Sequence, residues 1–255
     1  MKRIDFLGVA GAGKTAILGR VSEKERVTLP AAAAELAACR AMALSINVNW
    51  KRRLLGRIPL IRKLLYGGVI PKEEATAFAR FAEQHDAFLA TVHESFALSG
   101  RSQYRRAVGY YHFLRTVRRI AFLEQWLEDE TVLFDESLSQ KVYAVMPWDR
   151  GNEAHARRYF EHMPLPTALI HLDADAAQVV RQVRERERAT GKLIPGHRGL
   201  SNEELMTTTD TCLHFARIGA ECLQARGCPV LSLTASVPPE QNARRVAEFI
   251  QGVAP

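Results

Sequence analysis

Cysteine is scarce and scattered: Cys39, Cys212, Cys222 and Cys228 are the four in 255 residues, with no C-x-x-C pair and no histidine at ligand spacing beside them. That argues against a disulfide framework and against a zinc site, and it fits a reducing compartment. Long apolar runs are also missing. The longest, LPAAAAELAACRAMALSINVNW, is interrupted by Glu35 and Arg40, and the uncharged pieces between them are too short for a spanning helix. The opening MKRIDFLGVAGAGKT is positive at its start, but Asp5 and several glycines interrupt its apolar stretch, so it does not read as a signal peptide. A cytoplasmic protein is expected. Acidic residues are absent from Glu35 to Glu73, where Arg40, Lys51, Arg52, Arg53, Arg57, Arg62, Lys63 and Lys72 give eight positive charges against a net charge of +7 for the chain. The basic character is therefore local.

What is present is a composition, 47% hydrophobic and 25% charged, that suits one globular domain over 1–255. Short apolar runs alternate with helical stretches: IDFLG, TVLFD (131–135), TALIHLD (167–173) and PVLSLTA read as buried strands. Residues 31–66 read as helical with a break at Pro59, and 73–96, Tyr104 to Leu127, 175–190, 202–226 and 239–251 as helices. That alternation predicts an α/β fold, a parallel sheet of about five strands flanked by helices, with a helical insertion ahead of TVLFD.

Directly after the first strand comes Gly8-Val-Ala-Gly-Ala-Gly-Lys-Thr15, which meets the pattern G-x-x-x-x-G-K-S/T in full. Glycines let backbone N–H groups wrap a phosphate, the next helix presents its positive end, Lys14 reaches the terminal phosphates, and the Thr15 hydroxyl suits magnesium. Gly8, Ala10, Gly11, Ala12, Gly13, Lys14, Thr15 and Ala16 are the expected nucleotide-binding residues, with ATP and Mg as cofactors. Val132-Leu-Phe-Asp135-Glu136 adds a buried strand ending in carboxylates, where a magnesium-coordinating aspartate belongs in such a site.

Three kinds of nucleotide protein fit these parts. A GTPase needs Asn-Lys-x-Asp, and no asparagine starts one. A transporter-type ATPase is suggested by Leu98-Ser-Gly-Arg-Ser-Gln103 and by LFDE, but an arginine displaces the signature's second glycine, so LSGRSQ reads as a turn between helices. The third is a small-molecule kinase. GVAGAGKT, the helices of 31–127, LFDESLSQ, Pro166-Thr-Ala-Leu-Ile-His-Leu-Asp173, the stretch Arg181 to Arg198 and a closing VLSLTA with NARRVAEFIQ follow one another in an order that resembles the nucleoside monophosphate kinase group of P-loop proteins, thymidylate-kinase-like members especially. The resemblance implies a substrate-binding helical region at 30–127, a lid at 175–200, and γ-phosphoryl transfer from ATP to a small or lipid-linked acceptor. The family's arginine after the aspartate is replaced by Glu136, which removes an expected contact to a nucleotide acceptor. Asp135-Glu136 with Gln140 downstream also resembles uncharacterised kinase-like proteins of bacterial surface-polysaccharide synthesis.

On this reading Asp135 holds magnesium together with Thr15, and Glu136 orients or deprotonates the acceptor hydroxyl, with these two roles exchangeable. Arg181, Arg184 and Arg188 share a helix face, with Arg186 beside them and Lys192, His197 and Arg198 in the following loop. Arg184 and Arg188 are expected to close over the transferring phosphoryl group, against the alternative of an ordinary solvated helix. Arg115, Arg118 and Arg119, in a stretch free of acidic residues, are expected to bind an anionic acceptor or else to face water. His85, His93, His112, His155 and His171 show no metal spacing. Residues 51–65 alternate Lys/Arg with Leu, Ile and Tyr, a pattern shared by helices that rest on an anionic inner-membrane surface and by helices that pack their leucines inward. Nucleic acid is not expected as a partner. The alternative to a kinase is a regulatory ATP-hydrolysing protein without an acceptor.

Overall fold

A computed structural model describes residues 1–24, 28–44, 59–98, 102–146, 152–191 and 197–253. The short apolar runs form strands β1 (Lys2–Leu7), β2 (Thr131–Phe134), β3 (Ala168–Asp173) and β4 (Val230–Thr234), paired in parallel in the order β2-β1-β3-β4. The sheet thus has four strands among the described residues, where about five were expected. The remaining position, beside β2, is marked by Thr28, whose N–H donates to Thr131 O at 3.0 Å and whose carbonyl accepts from Leu133 N–H at 3.2 Å. Because β1 has β2 on one side and β3 on the other, connections leave it in both directions, and a crevice opens at the carboxyl ends of these strands.

Helices cover both faces: α1 (Lys14–Lys24), α2 (Pro30–Leu44), α3 (Pro59–Gln84), α4 (Asp86–Leu98), α5 (Gln103–Trp126), α6 (Leu138–Val145), α7 (Glu153–His162), α8 (Ala176–Thr190), α9 (Asn202–Ala225) and α10 (Pro239–Val253). Strand alternation sorts the core. Ile4 and Phe6 of β1 join Ile170, Leu172 and residues of α1, α8 and α10 on one face. Leu7 joins Val132, Phe134 and the helices of the insertion on the other. The second face also holds Arg3 and Asp5, both buried, with Arg3 Nε 3.3 Å from Asp5 and Arg3 Nη1 2.8 Å from Glu124.

Two segment boundaries differ from the sequence expectation. Pro59 opens α3 at a position where its missing N–H costs nothing, and α3 continues through Pro71 to Gln84 instead of ending at residue 66. The single helix expected over 73–96 is divided at His85, whose N–H donates to Phe81 O while its carbonyl accepts from Leu89 N–H, and α4 restarts with Asp86 accepting from Ala87 N–H at 2.7 Å. The ends that frame the crevice are capped. Asp175 accepts from Gln178 N–H before α8, Gly191 closes it in the left-handed region, and Ser201 with Glu204 makes a capping box on α9.

The described residues contain no helix long and apolar enough to cross a membrane. Of the basic segment 51–65, residues 51–58 lie outside the described residues, as do Ser99, Gly100 and Arg101 of LSGRSQ and Lys192 of the lid loop.

Candidate active site

The loop between β1 and α1 is shaped by glycine where nothing larger fits. Gly11 and Gly13 have φ of +97°, a conformation other residues rarely adopt. A Cβ on Gly8 would stand 2.9 Å from Leu172 O, and one on Gly11 would stand 2.8 Å from Val183 Cγ2, so β3 and α8 press the loop from below. Lys14 lies back along it. Its Nζ donates to Gly8 O at 2.5 Å and to Val9 O at 3.1 Å. Burial of this ammonium lowers its pKa to about 8, against the opposing pull of Asp135 and Glu136.

β2 delivers the carboxylates. Asp135 and Glu136 follow Phe134 at the carboxyl edge of the sheet and are exposed, while Ser137 just beyond is buried at the start of α6. Lys141, one turn into α6, donates to Glu136 Oε2 at 2.9 Å. That hydrogen bond and the Lys141 charge hold the Glu136 carboxyl below its ordinary range, with Lys14 and Arg115 adding to the effect against partial burial. Glu136 is therefore a carboxylate at neutral pH. Among the described residues Asp135 has no ion-pair partner within 4 Å. Gln140, also in the first turn of α6, reaches to the loop: its Nε2 donates to Gly8 O at 2.9 Å and its Oε1 accepts from Gly8 N–H at 3.3 Å.

Two cavities meet at these carboxylates. One, of about 410 Å³, is lined by Ala10, Gly11, Gly13, Lys14, Thr15 and Ala16 of the loop together with Asp135, Glu136, Gln140, Gln182 and Arg186. The other, of about 430 Å³, is lined by Pro30, Arg115, Thr116, Arg119, Phe134, Asp135 and Glu136. A third, of about 510 Å³, lies apart from them between α1 and α10, around Arg20 and Arg244.

Most of the residues singled out from sequence gather here, with informative exceptions. Gly8 and Ala12 are buried in the loop and leave the cavity wall to their neighbours. Arg115 and Arg119 line the second cavity, Arg119 with an ion pair to Glu74 at 2.8 Å. Arg118 does not, since it turns to α3 and its Nη2 approaches Pro71 O at 3.4 Å. On α8 the face toward the loop is Gln182 and Arg186, not the face shared by Arg181, Arg184 and Arg188. Successive residues turn by ~100°, and the buried Val179, Val180 and Val183 fix the helix, so 182 and 186 fall on one flank, 184 and 187 on the other, and 181 and 188 outward. Arg184 instead binds Asn202 Oδ1, Glu187 and Leu200 O, joining α8 to the start of α9, and Arg188 is exposed. His197 stands near this join, its pKa lowered by burial and by Arg186 and Arg184. Gln182 and the pairing of Gln140 with Gly8 escaped sequence reading. The buried valine triplet on α8 was the available signal for Gln182 and Arg186.

Asp173 ends β3 in a salt bridge with Arg217 at 3.0 Å and is thereby committed away from both cavities. The groups on this cavity wall able to hold a magnesium ion are the Thr15 hydroxyl and the Asp135 and Glu136 carboxylates, of which Glu136 also accepts from Lys141; they are hard oxygen donors of the kind Mg²⁺ takes alongside phosphate oxygens and water.

No family model and no curated protein matches this chain. Among solved structures it is similar to deoxyadenosine kinase from M. mycoides with bound dCTP, at 10% identity over 98% of this chain and 99% of that one with a TM-score of 0.47, and to the same enzyme with bound dATP, at 10% identity over the same shares with a TM-score of 0.44. Likeness of that degree speaks to neither chemistry nor substrate.

Proposed function

We propose that this chain is a P-loop kinase that transfers the γ-phosphoryl group of ATP to a small or lipid-linked acceptor bearing a hydroxyl and an anionic group. One observation carries this reading: the cavity lined by the glycine-rich loop and the cavity lined by Arg115 and Arg119 share Asp135 and Glu136. A donor phosphate on the loop and an acceptor among the arginines would face each other across these carboxylates. Transfer then needs mainly positioning and charge neutralisation. Lys14 leaves the loop carbonyls for the phosphates, and Arg186 approaches from α8 with Gln182. Asp135, without an ion-pair partner among the described residues, and Thr15 would hold Mg²⁺, which neutralises phosphate charge when bound. Glu136, kept ionised by Lys141, accepts the hydrogen bond of the acceptor hydroxyl and orients it. A loose transition state asks little more of it as a base.

An ATP-hydrolysing regulator has no evident use for the arginine-lined second cavity. The two readings separate on ADP production with magnesium. A kinase releases ADP faster when the right acceptor pool is added, and Arg115→Ala blunts this stimulation while sparing nucleotide binding. ADP release that is indifferent to every acceptor pool and to Arg115→Ala favours the hydrolase.

A further inference from the structure

Gly8 O is a buried carbonyl with two donors: Lys14 Nζ at 2.5 Å and Gln140 Nε2 at 2.9 Å. The same Gln140 amide takes the Gly8 N–H through its Oε1 at 3.3 Å, so one side chain from α6 pairs with both polar groups of one loop residue. The backbone of β3 lies close, with Leu172 O 2.9 Å from where a Cβ would sit on Gly8, so no side chain fits at that residue. If Lys14 is to reach a phosphate, it has to let go of Gly8 O. A buried carbonyl stripped of its last partner is costly, whereas one that keeps a second donor is not.

We infer that Gln140 is a positioning residue that frees Lys14 for phosphate, by holding Gly8 O when the lysine leaves and by fixing the loop to the helix that follows Asp135 and Glu136. The inference rests on the phosphate-site reading above. The pairing works in one orientation only, because the amide must offer oxygen to the N–H and NH₂ to the carbonyl. A carboxylate can do the first and not the second, and it would also draw the nearby Lys14 ammonium to itself. An aliphatic side chain does neither.

The test is calorimetric binding of Mg·ATP, and of magnesium tripolyphosphate so that base recognition plays no part, to the unmutated protein, Gln140→Leu and Gln140→Glu. Thermal melts without nucleotide accompany each. Gln140→Leu is expected to weaken both ligands ~tenfold or more, since Gly8 O then has only Lys14 to hold. Gln140→Glu is expected to weaken them further at neutral pH and to regain affinity relative to the unmutated protein as pH falls through the carboxyl range, where a protonated Glu can donate again. A purely structural role would lower the melting temperature without that pH-dependent recovery. Unchanged affinity in both variants, with the unmutated protein binding normally, overturns the role of Gln140 and leaves the phosphate site standing. No binding of either ligand by the unmutated protein overturns the phosphate site and this role with it.

Discussion

Lys14 is the residue whose chemistry is most changed by its setting. In the free protein its pKa is lowered to about 8, from 10.5. Between those values the unfolded chain keeps a proton that the folded protein has released, so this group makes stability rise with pH through the window. Phosphate oxygens beside the ammonium favour its charged form and draw the pKa back up. ATP binding is therefore expected to take up a fraction of a proton at roughly pH 8 to 9. Calorimetry in buffers of differing ionisation enthalpy checks this, and buffer-independent enthalpies would show that Lys14 does not change its surroundings. Gly11 offers a second test at this scale. Gly11→Ala forces an L-residue to φ of +97° and sets its methyl against Val183. A loss of about 1–3 kcal/mol in a denaturant titration is expected, together with weakened nucleotide binding. The loop was legible in the sequence because its pattern is local, eight consecutive positions from Gly8 to Thr15. The pairing of Gln140 with Gly8 was not, because that contact spans 132 positions and depends on the register of α6 against β1.

At the scale of elements, α8 is where sequence and structure part. Arginines at 181, 184 and 188 share a face by spacing alone, but the direction of that face is decided by what Val179, Val180 and Val183 bury against, and that is a tertiary fact. The outcome divides the arginines by task. Arg186→Ala is expected to reduce turnover by ~10²-fold, the effect of removing one donor aimed at developing phosphoryl charge. Arg188→Ala, at an exposed position, is expected to leave turnover within a few-fold. Arg184→Ala loosens the join of α8 to α9 and is expected to show first in thermal melts. Equal turnover losses at Arg186 and Arg188 would mean that α8 rotates from the orientation described. The spans 175–190 and 202–226 match α8 and α9 within a residue or two, and Asp175, Gly191 and Ser201 at their ends are local capping residues, whereas the division at His85 falls inside an unbroken amphipathic pattern and has no such signal.

For the molecule as a whole, the sheet's carboxyl edge borders both cavities that share Asp135 and Glu136, and its body carries an unexpected charge. Arg3 and Asp5 are 2% and 0% exposed on the face of β1 toward the insertion. Removing one partner strands the other: Arg3→Ala is expected to cost ~3–5 kcal/mol of stability, whereas Arg3→Met with Asp5→Leu is expected to be neutral or stabilising. Chemical denaturation of both variants checks the pair, and a double variant as unstable as the single one would show that the charges are needed for the fold itself. The parallel sheet and the insertion followed from the alternation of apolar runs, whereas the order β2-β1-β3-β4 is a tertiary fact that the alternation does not carry. At the fifth position, beside β2, the described residues show a single bridge, between Thr28 and Val132.

On the proposed reading, the two cavities meeting at Asp135 and Glu136 are donor and acceptor sites of one reaction. The most direct measurement follows the label from γ-labelled ATP with magnesium into pools of nucleosides, nucleotides, sugar phosphates and lipid extract, with Lys14→Ala and Arg115→Ala as controls. Label on a hydroxyl of an anionic compound, lost in the first control and sharply reduced in the second, is the expected result. Label released only as inorganic phosphate whatever the pool, and undiminished by Arg115→Ala, would contradict the account and make the second cavity something other than an acceptor site.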